Sequence, residues 1–200
     1  MKFFLYEHCL LSKSTTLTVI TPTSITIASK DTKNPGDWIH SDLNGPEPSY
    51  NTTKYAITDF VDETSGFLAI EFLDHKGQAP QALTQFIQKC RTTSFRLEIG
   101  SNTTFHSDGD QVYKSNKMLE ICASERMLKS YSPAYHANLN GAARRPWRTL
   151  FADTRAMILK ASQISDTIID ESYWPLAMSH ATLLWNLSPG VTEKNPHMRR

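Results

Sequence analysis

Trp38-Ile39-His40-Ser41-Asp42-Leu43-Asn44-Gly45-Pro46 is the stretch whose reading decides the fold. Its first six residues read as a short strand, and Asn44-Gly45-Pro46 stops it. A carboxylate, Asp42, therefore sits at a strand end. Further along, Thr103 to Ser107 reads as a second strand that ends at Asp108-Gly109-Asp110. Carboxylates at the ends of adjacent strands converge and offer hard oxygen ligands for Mg²⁺. Two such ions about 3.5–4 Å apart stabilise the attacking and leaving oxygens of an in-line phosphoryl displacement. On spacing alone the plainer reading is that both aspartates form turns, because Asp beside Asn or Gly does so readily.

Outward from that stretch, the pattern alternates between strand and helix. Lys54 to Val61 and Gly66 to Leu73 are β-prone runs separated by Asp62-Glu63-Thr64-Ser65, which predicts a hairpin. Pro80 to Lys89 places Leu83, Phe86 and Ile87 on one helical face. Met118 to Met127 reads as a short helix with Met118, Leu119 and Cys122 as its apolar side. Asn140-Gly141 opens a longer helix with a stripe of Trp147, Leu150, Phe151, Met157, Ile158 and Ala161. A last helix, about Ser172 to Leu187, carries Trp174, Ala177, Ala181, Leu184 and Trp185 before Ser188-Pro189-Gly190. This order predicts an α/β layered domain with a mixed sheet.

Composition narrows the function classes. The 200 residues suffice for one domain with a real core. With 21 basic and 20 acidic residues, no global field points to nucleic acid, so a DNA-binding surface has to be local. Three widely spaced cysteines, Cys9, Cys90 and Cys122, argue against a disulfide framework and for a reducing compartment, cytosol or nucleus. No apolar run reaches the roughly 18 residues of a membrane span. Met1 to Leu11 is broken by Glu7 and His8 and has no cleavage site, so the chain does not read as secreted.

Five motifs, in order, carry a resemblance to the integrase catalytic core of copia-type retrotransposons. His40-Ser41-Asp42-Leu43-Asn44-Gly45-Pro46 resembles the opening strand with the first catalytic acid. Tyr55-Ala56-Ile57-Thr58-Asp59-Phe60-Val61-Asp62-Glu63-Thr64-Ser65-Gly66-Phe67 is similar to the next two strands. His106-Ser107-Asp108-Gly109-Asp110 resembles the segment holding the second acid. Asn140-Gly141-Ala142-Ala143-Arg144-Arg145 is similar to the Asn-Gly-x-x-Glu-Arg start of a helix, and Tyr173-Trp174-Pro175-Leu176-Ala177 through Asn186-Leu187-Ser188-Pro189 to the last core helix. The resemblance runs from Trp38 to Pro189 and implies an RNase H-like mixed sheet flanked by helices. It also implies an LTR-retrotransposon polyprotein, metal-dependent DNA integration in the nucleus, and Mg²⁺ or Mn²⁺ on Asp42 and Asp108. DNA ends, target DNA and a second copy of the chain are the implied partners.

Departures from the family's pattern imply a fragmentary, degenerate and inactive copy. Thirty-five residues separate Asp108 from position 144, as they separate the second acid from the third, but position 144 is Arg144. At an effective dielectric near 20, an arginine about 4 Å from a divalent ion costs roughly 8 kcal/mol, less if the long side chain swings into solvent. Asp110, Glu120 and Glu125 are the conceivable substitutes, and none is placed to serve. Pro146 either interrupts the helix, at about 3 kcal/mol, or sits in its first turn and leaves Arg144 off the helix.

Residues 1–37 read as the remnant of a zinc-binding module plus a linker. Tyr6-Glu7-His8-Cys9 lacks the four ligands a structural zinc needs, so no zinc is expected. Residues 38–189 are the core-like domain and 190–200 a polar tail. Arg144, Arg145 and Arg148, with Arg155 beyond, form a local basic cluster that reads equally as a phosphate-contacting surface or a solvated helix face. Trp147 between them reads as core. The alternative function is a non-catalytic DNA- or protein-binding module derived from an integrase, and an expressed relic is a third.

Overall fold

A computed structural model describes residues 34–50, 55–92, 97–132 and 141–188 of the chain. The readings for residues 1–33, including the zinc remnant and most of the linker, and for the tail lie outside these residues.

The expected first strand is two pieces, β1 (Trp38–Ser41) and β2 (Leu43–Asn44), broken at Asp42. Both pair antiparallel with β3 (Tyr55–Asp62), which turns at Glu63, Thr64 and Ser65 into its hairpin partner β4 (Leu68–Leu73). The other edge of β1 pairs in parallel with β5 (Thr104–Ser107), and β5 in turn with β6 (Leu128–Tyr131). The six strands form one mixed sheet.

Helices cover both faces because period-2 alternation sends neighbouring side chains to opposite sides. One face takes α1 (Ala79–Thr92) and α2 (Asn116–Ser124). There Ile39, Phe60 and Phe105 meet Leu83, Phe86, Ile87, Met118 and Cys122, and the Phe60 and Phe86 rings stack at 4.5 Å. The other face takes α3 (Gly141–Ser165) and α4 (Trp174–Leu187), with Val61 and Leu68 against Trp147, Leu150, Met178 and Ala181. Asn186 ties α4 to the sheet: its Oδ1 accepts from the Leu68 N–H at 2.9 Å and its Nδ2 donates to the Leu68 carbonyl at 2.7 Å.

Three details differ from the sequence-based expectations. The helix expected over 118–127 ends at Ser124, and after a short turn Leu128–Tyr131 form strand β6. The buried face of α3 is Ala143, Pro146, Trp147, Leu150 and Thr154, with Met157 partly buried against the same core, while Phe151 and Ala161 are exposed. The inner face of α4 is Pro175, Met178, Ala181, Thr182 and Asn186, which leaves Leu184 about half exposed. That helix is apolar on two sides, so its periodicity does not say which side faces the sheet.

Asp62, fully buried at the end of β3, organises the turns around it. Its Oδ1 accepts from the Gly36 N–H at 2.8 Å, and its Oδ2 from the Ser65 N–H at 2.7 Å and the Ser65 hydroxyl at 2.5 Å. Gly36 has φ +98°, and a Cβ there would lie 2.7 Å from the Glu98 carbonyl oxygen, so only glycine fits.

Candidate functional site

The parallel register of β1 and β5 pairs Ser41 with Ser107, so Asp42 and Asp108 are the next residue on each of two neighbouring strands. Neighbouring strands lie about 5 Å apart, and the Asp108 charge pushes the Asp42 carboxyl upward. The two aspartates selected from the sequence thus converge at the ends of two interior strands of the sheet. Below them, the Ser41, Thr58 and Tyr113 hydroxyls join across three elements at 2.9, 3.0 and 3.3 Å.

Asp42 is held from its backbone. Its N–H donates to Asp59 Oδ1 at 2.6 Å, and the Asp59 N–H donates to its carbonyl at 3.2 Å. Asp59 is completely buried, and burial pushes its carboxyl well above the usual range, with the Asp42 charge adding to the effect. Asp108 is half-buried and its Oδ1 accepts from the Asp110 N–H at 3.0 Å, an Asx-type turn.

Arg144 completes the corner. The helix α3 runs unbroken from Gly141 to Ser165, so Arg144 lies on its first turn and Pro146 is an interior, buried residue of the helix. This decides between the two placements of Pro146 left open by the sequence. From α3, Arg144 Nε donates to Asp42 Oδ2 at 3.2 Å, across 102 residues of chain. Burial raises the Asp42 pKa most; the Arg144 guanidinium, by charge and hydrogen bond, and the Leu43 N–H lower it, and the Asp108 charge raises it.

The remaining candidates sit as follows. Arg145, Arg148 and Arg155 are exposed on α3, and Trp147 is buried against the sheet, as read from the sequence. The acids considered as substitutes are engaged elsewhere or point outward. Asp110 bonds Lys76 Nζ at 2.9 Å and caps the turn at Val112, Glu125 pairs with Arg91, and Glu120 is exposed. Among the described residues no three His, Cys, Asp or Glu side chains gather as a metal site. With two carboxylates and a guanidinium on one of them, this donor set does not fit the paired divalent ions that in-line phosphoryl transfer uses.

Two residues close to the site were not legible in the sequence. Lys129, on β6, packs its ammonium 4.4 Å from the centre of the Phe105 ring and 4.3 Å from that of Tyr131, and donates to Ser107 Oγ at 2.6 Å. Burial lowers its pKa to about 7, against the opposing pull of Cys122 and Asp108. His106, one residue before Ser107, is bonded at both ring nitrogens, to Ser130 Oγ at 3.1 Å and Ser132 Oγ at 3.0 Å, beside His40. The missed strand β6 hides both relationships.

Burial, with the His40 and Lys129 charges, pushes His106 down to about 4. A depressed histidine pKa means the folded state resists protonation. Its contribution is intact above the ordinary pKa near 6.5 and is lost as pH falls from there towards 4. The raised carboxyls Asp42, Asp59 and Asp62 work in the opposite direction. The readout is therefore a difference: urea unfolding at pH 7 and pH 4.5 should show a steeper acid loss in wild type than in His106→Asn. Equal losses would show that His106 does not resist protonation.

No family model matches the chain, and no curated protein does. Solved structures do. The HTLV-2 integrase catalytic core domain in complex with magnesium, in its dimeric form, aligns with TM-score 0.56 and 16% identity over 82% of this chain and 98% of that one. The simian T-cell lymphotropic virus intasome in complex with the PP2A regulatory subunit B56 gamma aligns with TM-score 0.55 and 16% identity, over 78% of this chain and 49% of that one. The BIV integrase catalytic core aligns with TM-score 0.50 and 17% identity over 74% and 82%. At such identities the likeness speaks for the fold: the chain has the RNase H-like α/β fold of retroviral integrase catalytic cores.

Proposed function

We propose that this chain is the catalytic-core domain of a copia-type LTR-retrotransposon integrase in a degenerate copy, one that has lost DNA joining and keeps contact with DNA ends through Arg144, Arg145 and Arg148. On this reading it derives from a Pol polyprotein and acts in the nucleus, where its DNA partners are. The observation that carries the reading is the convergence of Asp42 and Asp108 at adjacent strand ends with position 144 beside them. That is the arrangement the five ordered motifs imply, with a cation where the third acid belongs.

The experiment is a strand-transfer assay on short duplex ends with Mg²⁺ or Mn²⁺, run beside a binding assay on the same duplex. Binding without joining is expected. Robust joining by the unaltered chain would show that the copy is active.

Self-association belongs to the same reading. Helix α4 has no Asp, Glu, Lys or Arg, and its outer side exposes Leu176, Leu183, Leu184 and Leu187 to roughly half or more of their surface. An uncharged leucine stripe can pack against its own copy around a two-fold axis. Sedimentation at micromolar concentration should show a dimer that Leu184→Glu with Leu187→Glu dissociates. A wild-type monomer throughout would remove this part.

A further inference from the structure

We infer that Arg144 is the resident cation of the strand-end site: its guanidinium holds the position at Asp42 that a divalent ion would need, so the site is neutralised from within the chain and does not recruit magnesium or manganese. This stands apart from the DNA-binding reading, since no nucleic acid enters its test.

The geometry is specific. Asp42 is pinned from below by the Asp59 carboxyl on its N–H, which leaves its carboxylate to face α3. That carboxylate is 11% exposed, and Arg144 bonds its Oδ2 from the first turn of the helix. Pro146 and Trp147, both buried against the sheet, fix how that turn sits over β1. On the other side, Lys129 donates to Ser107 Oγ, one residue before Asp108, from within an aromatic cage. Of these two groups, Arg144 carries a permanent charge beside Asp42, while the Lys129 ammonium, whose pKa burial lowers to about 7, sits behind Ser107. A divalent ion on Asp42 Oδ2 would have to displace a bonded guanidinium and would find one further carboxylate for company. Hard cations of this kind take several oxygen ligands.

The Arg144 side chain is 45% exposed, so displacement is physically available to it, and half-exposed ion pairs are individually weak. Measurement of metal binding to the whole chain decides the matter. A metal at about ten times its Kd raises the Tm of a domain this size by about 3–6 °C. Thermal unfolding would be followed with MgCl₂, with MnCl₂, and with NaCl at matched ionic strength. Wild type should show the same Tm in all three. Arg144→Glu should gain a metal-specific rise of that order, and adding Asp42→Asn to it should abolish the gain. Arg144→Gln, which frees Asp42 without adding a ligand, should respond to Mn²⁺ more than wild type does. It keeps the test decisive if the glutamate variant does not fold. The inference fails if wild type rises as much as Arg144→Glu or, where that variant does not fold, as much as Arg144→Gln. It also fails if freeing Asp42 leaves the metal response unchanged.

Discussion

Replacing Arg145 and Arg148 together by alanine is expected to weaken binding to a short DNA duplex by about 200-fold at 50 mM salt. The estimate follows from counterion release: each phosphate contact adds about 0.9 to the slope of log affinity against log salt, so losing two lowers the slope by about 1.8. Both side chains are exposed on α3 next to the site and have no carboxylate bonded to them among the described residues, so their charges are available to phosphate. Arg144→Ala should cost less, because its guanidinium is already partly neutralised by Asp42. Fluorescence anisotropy across a salt series measures both quantities. A double variant with the wild-type slope would mean that α3 is a solvated face, and the DNA-binding reading would go with it.

The second large effect concerns stability. Asp62→Ala should destabilise the domain by about 3 kcal/mol, because it leaves the buried Gly36 and Ser65 N–H groups without an acceptor, at about 1–3 kcal/mol each. In a domain of this size that lowers Tm by about 6–12 °C. Asp62→Asn keeps one acceptor oxygen and should lose roughly half as much. The comparison matters because the same carboxylate anchors both the entry to β1 and the β3–β4 turn, and β1 carries Asp42. A loss under about 1 kcal/mol for the alanine variant would mean the two turns hold without their shared acceptor.

How legible the molecule was depends on the range of the interaction involved. Alternation announced β3 and β4, and the charged break between them announced the hairpin, because strand pattern and turn chemistry are local. The strand β6 escaped for the same reason in reverse. It is four residues long, its first residue Leu128 is 58% exposed, and the next is a half-buried lysine. Nothing local separates it from the end of the preceding helix. With β6 went Lys129 and the serines that hold His106, since these are contacts between strands rather than along one.

By itself, the sequence determined which residues could meet: two aspartates at the ends of strand-like runs, an arginine separated from the second by thirty-five residues, and a helix to carry it. Only the tertiary structure decided that β1 and β5 lie side by side in parallel register, which turns those positions into neighbours. It alone also showed that the arginine, though nearly half exposed, is bonded to the first aspartate. The reason is physical. Helix and strand periodicities are written within a few residues, whereas the Coulomb interaction of a guanidinium with a buried carboxylate depends on a separation that only packing sets.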